Sequence, residues 1–526
     1  MNTYPDIPTS LRNLTYLQDG ALHASEALRG DMVLESYASL LRRHGVTALH
    51  WHSADTFDSL RSSHHLVQQA AANEIQAQAM RLLHTAFEAD ASDIHISYQA
   101  TYGSIRLRRM GMLDPGRTIT GESAITLIRT IYQAMTDAGD PQFIPSQRQE
   151  GRIVKREYLP PFVHSVRVHT EPLECQGGPG LLMTLRLLYD RTRADGSLDQ
   201  RLTTLGYMED DRMRLAKLIR RSGLTLVAGP TGQGKSTLLK HVIEAQAAQL
   251  PELAFMSIED PPEYPIRGVS QVLVGSDEAR RERAYQQAIA GAMRADPDVL
   301  MIGEVRYPEA AAAAVEAALT GHTVWSSIHA SSAFGVLWRM LSLLNSAKFA
   351  DPLEYLCDPG VLAGMIYQRL LPVLCPSCKV PLTTLTKSDD TVRAKWLSTA
   401  RPTMQRLRRT GIPLDNVHFR GSGCQQCKGV GLCGLTVAPE VVVTDASLLR
   451  LVRKRDMDAA MQYWRYELRG TTAVQRALAL IADGQVDPVI AEERLSVELD
   501  QEERHTGAAG GTHETVTTAG QTLPAQ

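Results

Sequence analysis

In the stretch Gly229-Pro230-Thr231-Gly232-Gln233-Gly234-Lys235-Ser236-Thr237 the first eight residues fit the pattern G-x-x-x-x-G-K-[S/T], and the stretch follows an apolar run, Leu224 to Ala228, that reads as a strand. The chemistry this pattern serves is the holding of nucleotide phosphates. Its glycines let successive backbone N–H groups turn toward the β- and γ-phosphates, Lys235 adds a fixed positive charge, and the Ser236 hydroxyl completes a Mg²⁺ shell. Leu238 to Gln249 read as a helix whose N-terminus faces the anion. A chance glycine turn would lack the strand before it and the helix after it.

Cleaving a phosphate needs a carboxylate at the end of a neighbouring buried strand. Val299-Leu300-Met301-Ile302 is such a strand, and Gly303-Glu304-Val305-Arg306 follows it, which makes Glu304 the first catalytic candidate. The Asp that usually precedes this acid is Gly303, so work in the metal shell falls partly on Glu259, Asp260 or Glu263, at the end of the strand Leu253 to Ile258. His322 and His329 flank a third strand, Thr323 to Ile328, and are read as γ-phosphate sensors at the mouth of the sheet. Either alone would more often be a structural strand-end histidine. Transition-state charge also needs an arginine, often from a neighbouring subunit or domain. Arg106, Arg108, Arg152 and Arg167 are candidates among which the residues themselves do not choose.

Four of the seven cysteines form two C-x-x-C pairs, Cys375/Cys378 and Cys424/Cys427. Two such knuckles supply four soft ligands in a tetrahedron, the donor set of a closed structural Zn²⁺ site. The knuckles stand 46 positions apart, from Cys378 to Cys424, which implies an inserted lobe around Lys387 to Asp415. Cys433 is a spare ligand or a small buried hydrophobe.

These residues must be carried by several cores, since 526 residues exceed one ordinary domain. Residues 1–66 read as an N-terminal extension with a short helix at Asp31 to His44, either a docking segment or a helical cap. Residues 67–195 read as an α/β, PAS-like domain, opened by a helix from Val67 to Glu88 and continued by strands at Arg152–Val154, Phe162–His169 and Leu181–Leu188. Asp190 to Gln200 read as a linker. The alternation of strands and helices over 200–365 predicts a RecA-like parallel sheet. A C-terminal region, 366–498, holds the cysteines in a helical lobe, and 499–526 reads as a disordered tail. The chain is 44% hydrophobic and 21% charged with a net charge of −3, so no basic excess points to nucleic acid. Neither a signal peptide nor a membrane span is legible, the longest uncharged stretch, Ala317 to Trp338, being rich in polar residues; a cytoplasmic protein is expected.

Taken together, the motifs resemble the secretion ATPase superfamily of type II secretion and type IV pilus assembly motors, from about Ala91 to Val443. The phosphate loop matches nearly letter for letter. Ser257 to Tyr264 is similar to the family's acidic box, Arg294 to Arg306 to its Walker B region with Gly for Asp included, and Thr320 to His329 to its histidine box. Ala91 to Ile96, Gln149 to Ile153 and Arg167 to Thr170 are similar to its N-terminal domain. The resemblance implies a homo-hexameric ring using ATP, Mg²⁺ and Zn²⁺, with ATP between the two domains, Glu304 in the catalytic role and the N-terminal-domain arginines, Arg152 and Arg167 among them, as trans partners. It implies an inner-membrane platform protein as partner, pilin subunits as indirect cargo, and peripheral attachment to the inner membrane. The tetracysteine, generally missing from retraction motors, points to extension. Departures are the missing acid in Arg106-Leu107-Arg108-Arg109-Met110-Gly111, the missing arginine in Gly431-Leu432-Cys433-Gly434-Leu435, and Trp325-Ser326-Ser327 in the histidine box; they resemble a specialised type IVb system. The alternatives are a type II secretion or retraction motor and, from another class, a nucleic-acid translocase gripping DNA with the zinc lobe.

Overall fold

Downstream of residue 223, short buried apolar strands alternate with helices and build one seven-stranded sheet. In the computed structural model its order is Ser270–Leu273, Phe255–Glu259, Val299–Ile302, Thr323–Ile328, Gly223–Ala228, Leu362–Leu374 and Leu432–Val443. The first six run parallel and the last is antiparallel. Gly223–Ala228, Val299–Ile302 and most of Thr323–Ile328 are buried throughout, as expected of strands covered on both faces. Helix Pro308–Leu319 buries Ala310, Ala311, Ala314, Ala317 and Ala318, whose small side chains allow close packing.

The structure describes residues 20–53, 74–139, 142–175, 177–189, 197–274, 281–385 and 391–501, with Pro5, Pro8, Leu11, residues 14–18 and Phe57. The start of the Val67–Glu88 helix, much of the expected linker, the head of the inserted lobe at 387–390 and the tail beyond 501 lie outside them. The chain divides into two units, Met1–Tyr189 and Asp190–Gln526.

The first unit has two cores. Thr15–Gln18, Ala21–Ser25 and Ala48–His52 form a three-stranded sheet with helix Met32–Arg42, around Leu11, Leu22, Leu34 and Leu41. The region read as an extension with one helix is therefore a small α/β body. The larger core belongs to an eight-stranded antiparallel sheet. Ile94, Ile96, Val166, Val168, Met183 and Leu185 of this sheet pack with Leu83 and Ala86 from the helix over 74–88 and with Leu127 and Ile128 from Gly121–Thr130. On its other face the register aligns Asp93, Arg186, Arg167 and Arg152 in one row.

In the second unit, strand Leu362–Leu374 runs through the boundary expected at 365/366, so the cysteine-bearing region continues the ATPase-type sheet. Helices Ala446–Arg453, Met457–Tyr466, Ala473–Ala482 and Pro488–Leu495 share its core through Leu448, Trp464, Ile481 and Ala491. Among the described residues no helix is long and apolar enough to cross a membrane.

Candidate phosphate and metal sites

Parallel strands deliver their C-terminal ends to one edge of a sheet. At that edge the loop Gly229–Thr237 leaves Ala228, Asp260 leaves Glu259, Glu304 leaves Ile302 by way of Gly303, and His329 leaves Ile328. Left-handed or extended positive φ values at Gly229 (147°), Gly232 (76°) and Gly234 (76°) turn the loop back on itself, and helix Lys235–Gln249 begins directly after Gly234. Thr231 and Gly232 are exposed, so the loop opens to solvent. Lys235 is buried, and its Nζ donates to the carbonyls of Gly229 at 2.8 Å and Pro230 at 3.1 Å. Burial lowers the pKa of its ammonium, against which the nearby carboxylates of Glu304 and Glu263 act. Ser236 and Thr237 occupy the first turn of the same helix.

Glu304 is held from two sides. One carboxylate oxygen lies 2.8 Å from His329 Nε2 and the other 2.7 Å from Arg306 Nη2. His329 Nδ1 lies 3.2 Å from the Gly229 carbonyl, so this one ring links the acid to the start of the phosphate loop. The serines of the unusual Trp325-Ser326-Ser327 stretch fasten the neighbouring strand, Ser326 donating to the Ile302 carbonyl at 2.5 Å and Ser327 to the Gly303 carbonyl at 2.7 Å. A Cβ on Gly303 would stand 3.2 Å from the Ile258 carbonyl and 3.3 Å from Glu259 Cγ. An Asp there would also set a second carboxylate against buried Glu259, which gives glycine at this position a physical reason.

Glu259 accepts from Ser257 Oγ at 2.8 Å and Gln271 Nε2 at 2.9 Å. Burial raises its pKa, against those two hydrogen bonds. Asp260 and Glu263 follow directly on the surface side of the edge, half-buried.

His322 is a correction. It precedes the strand whose far end carries His329, and six residues of extended chain separate the two by about 20 Å. There its backbone N–H donates to the Ala317 carbonyl and its Nδ1 lies 2.9 Å from Thr320 Oγ1, closing the end of helix Pro308–Leu319. Within the chain it does not join the phosphate loop. Arg152 and Arg167 face each other across adjacent strands of the first unit, Arg152 Nε donating to Ser165 Oγ at 3.0 Å and Arg167 lying 3.9 Å from Glu150. Arg106 donates to the Asp114 carbonyl, and Arg108 lies 3.9 Å from Asp93.

Sequence reading missed two residues behind the loop, Gln368 and Tyr207. A single Gln inside the apolar run Leu362–Leu374 was the available signal, since a buried amide must be paired.

The four knuckle cysteines converge. Their sulfurs lie within 4.8 Å of one another, with Cys375–Cys424 at 3.7 Å, Cys424–Cys427 at 3.7 Å and Cys378–Cys427 at 3.8 Å. Zn–S bonds of about 2.3 Å in a tetrahedron put sulfurs about 3.8 Å apart, so the set fits Zn²⁺. Cys427 Sγ also accepts from the backbone N–H groups of Cys424 and Gly431, both at 3.1 Å. Burial opposes ionisation of Cys427, but these donors prevail and lower its pKa. Cys433 is exposed and donates toward the Leu374 carbonyl, outside the cluster. Helix Thr391–Arg409 fills the insertion between the knuckles.

A glycine-rich loop over the C-terminal edge of a parallel sheet, backed by a histidine-linked acid, defines the class of RecA-like P-loop ATPases. Within that class the chain belongs to the family described as Type II/IV secretion system protein, which its residues 68–501 match. It is 31% identical over 397 residues to the type II secretion system ATPase E of Vibrio cholerae, covering 74% of this chain and 69% of that protein. It is 28% identical to the type IV pilus assembly ATPase PilB of Thermus thermophilus, covering 78% of this chain and 43% of that one. The solved ATPase DotB of Legionella pneumophila shares the fold at 19% identity with a TM-score of 0.52, over 79% of this chain and 94% of DotB.

Proposed function

We propose that this chain is an ATP-hydrolysing motor for type IV pilus assembly, working as a homo-hexamer on the cytoplasmic side of the inner membrane through a platform protein. The observation that carries the hydrolytic part is the 2.8 Å approach of His329 to Glu304 at the mouth of the phosphate loop. When bound, ATP supplies the phosphoanhydride that is cleaved. The loop N–H groups of Gly229–Thr237 and the Lys235 ammonium would hold the β- and γ-phosphates, while Ser236, with Glu259, Asp260 and Glu263, would hold Mg²⁺ and its waters. Glu304 orients the attacking water and takes its proton, and His329 keeps that carboxylate aimed at the loop. Arg152 and Arg167 add positive charge from a neighbouring subunit. The tetrathiolate site holds Zn²⁺ as a structural staple.

Assembly is favoured over retraction by the cysteine knuckles. Type II secretion is the second reading, supported by relatives bearing that name at 31% identity. Cells carrying Lys235→Ala in place of the native copy distinguish these directions. Loss of surface pili supports assembly, excess pili indicates retraction, and unchanged pili with lost export moves the reading to secretion.

A further inference from the structure

Strand Leu362–Leu374 contains a side chain that its apolar pattern does not account for. Gln368 is 2% exposed, and an unpaired amide so buried would be costly. Both ends of its amide are paired, and the partners matter. Nε2 donates to the backbone carbonyl of Gln233, in the phosphate loop, at 2.5 Å. Oε1 accepts from the hydroxyl of Tyr207, itself buried, at 2.6 Å. Gln233 returns the grip, its Oε1 accepting from the Leu370 N–H at 2.7 Å. The Gln368 carbonyl also presses on the loop's other end, since a Cβ on Gly229 would stand 2.7 Å from it. Both shoulders of the loop therefore rest on one residue.

Tyr207 extends this support outward. It lies between helices Leu198–Thr204 and Glu209–Ile219, in the segment that follows the first unit in the chain. Arg476, from helix Ala473–Ala482, donates to Met208 Sδ at 3.0 Å and to the carboxylates of Asp210 and Asp211. A continuous set of contacts thus runs from the C-terminal helices through Met208 and Tyr207 to Gln368 and the loop.

We infer that Gln368 is a positioning residue for the phosphate loop and that Tyr207 sets it, so that shifts of the 198–219 segment alter the loop's grip on phosphate. This rests on reading Gly229–Thr237 as the nucleotide site. The hydrogen bond to Oε1 fixes which way the amide points, and only that orientation offers its N–H to Gln233. Losing the Tyr207 hydroxyl frees the amide to rotate and leaves the loop carbonyl without its donor.

The test uses the full-length protein with a fluorescent ATP analogue and Mg²⁺, together with steady-state hydrolysis and thermal unfolding without nucleotide. Tyr207→Phe and Gln368→Met, which preserve volume, are each expected to raise the analogue's Kd and the KM for ATP about tenfold, the scale of one buried hydrogen bond. The value of kcat at saturating ATP should stay within about twofold, and the double variant should bind no more weakly than Gln368→Met alone. Lowered Tm with unchanged KM would overturn the proposal and leave Gln368 a packing residue. Additive effects on KM would overturn the relay through Tyr207. A wild-type protein that binds no more analogue than Lys235→Ala would overturn the site reading itself, a result separable from both others.

Discussion

The imidazole of His329 stands between Glu304 and the phosphate loop, Nε2 at 2.8 Å from the carboxylate and Nδ1 at 3.2 Å from the Gly229 carbonyl. The Nδ1 side is hydrogen-bonded to the loop, and the Nε2 side pairs with the carboxylate only as an imidazolium, so the ring is the spacer between the acid and the loop's first turn. Glu304→Gln keeps this shape but removes the proton acceptor. It should bind ATP normally and lower kcat about a hundredfold or more. His329→Ala leaves the acid chemically intact and removes the ring that stands 2.8 Å from it, so kcat should fall about tenfold or more. Phosphate release under saturating ATP checks both. Wild-type turnover in Glu304→Gln would remove the acid from the mechanism.

The sulfur tetrahedron yields a second prediction. Cys375 and Cys427 are buried, and the Cβ that any residue but glycine would add at 421 falls 1.8 Å from the Cys378 carbonyl, so the knuckles have little room to relax. Purified protein should contain about one Zn²⁺ per chain by elemental analysis. Cys378→Ser or a strong chelator should lower Tm by about 5–10 °C and speed hydrogen exchange in strand Leu432–Val443, which begins beside the knuckle. Full metal loss with no change in either readout would contradict a structural role.

Legibility in the sequence followed how local each signal is. Strand, loop and helix are contiguous between Leu224 and Gln249, so their order can be read directly, and the acids and His329 stand at strand ends that apolar runs mark. Two C-x-x-C pairs are legible for the same reason. His322 was misplaced because a seven-residue spacing looks short in sequence, whereas a strand turns it into the full height of the sheet. The Tyr207–Gln368 pair spans 161 positions, and no local pattern links them. The small N-terminal sheet was hidden by strands of four or five residues, although Asp19-Gly20 before Ala21 is a two-residue hairpin signal.

A pH effect is expected in the inserted helix. Arg406 grips Glu492 with a two-pronged contact, Nε to Oε1 at 2.7 Å and Nη2 to Oε2 at 2.6 Å, and Thr403 and the Leu499 N–H also donate to that carboxylate. Burial would raise the pKa of Glu492, but these donors prevail and hold it below its ordinary value of 4.5. A lowered pKa means the folded state binds fewer protons, so the contribution is complete above about 4.5 and is lost as pH falls through the lowered value. Protection factors over 400–409 and 488–499, exchange rates taken relative to the intrinsic amide rate at each pH, should therefore fall on acidification from about pH 6 to about pH 3. Glu492→Gln should show lower protection at the upper end and a flatter profile of protection against pH. Parallel profiles for the two proteins would exclude this pair as the cause.

Arg152 and Arg167 give the sharpest test of the ring. They are neighbours across the first unit's sheet, and their proposed work is done on a nucleotide bound by another copy of the chain. Arg167→Ala and Glu304→Gln proteins should each hydrolyse ATP poorly when alone. In a head-to-tail ring each site draws its acid from one subunit and its arginine from the next. Random mixing of equal amounts then pairs an intact acid with an intact arginine at about a quarter of the sites. The mixture, after exchange of subunits, should regain hydrolysis well above the mean of the two separate proteins. If exchange is verified by mass spectrometry and activity stays at that mean, the arginines act within their own chain or not at all, and the assignment in trans fails.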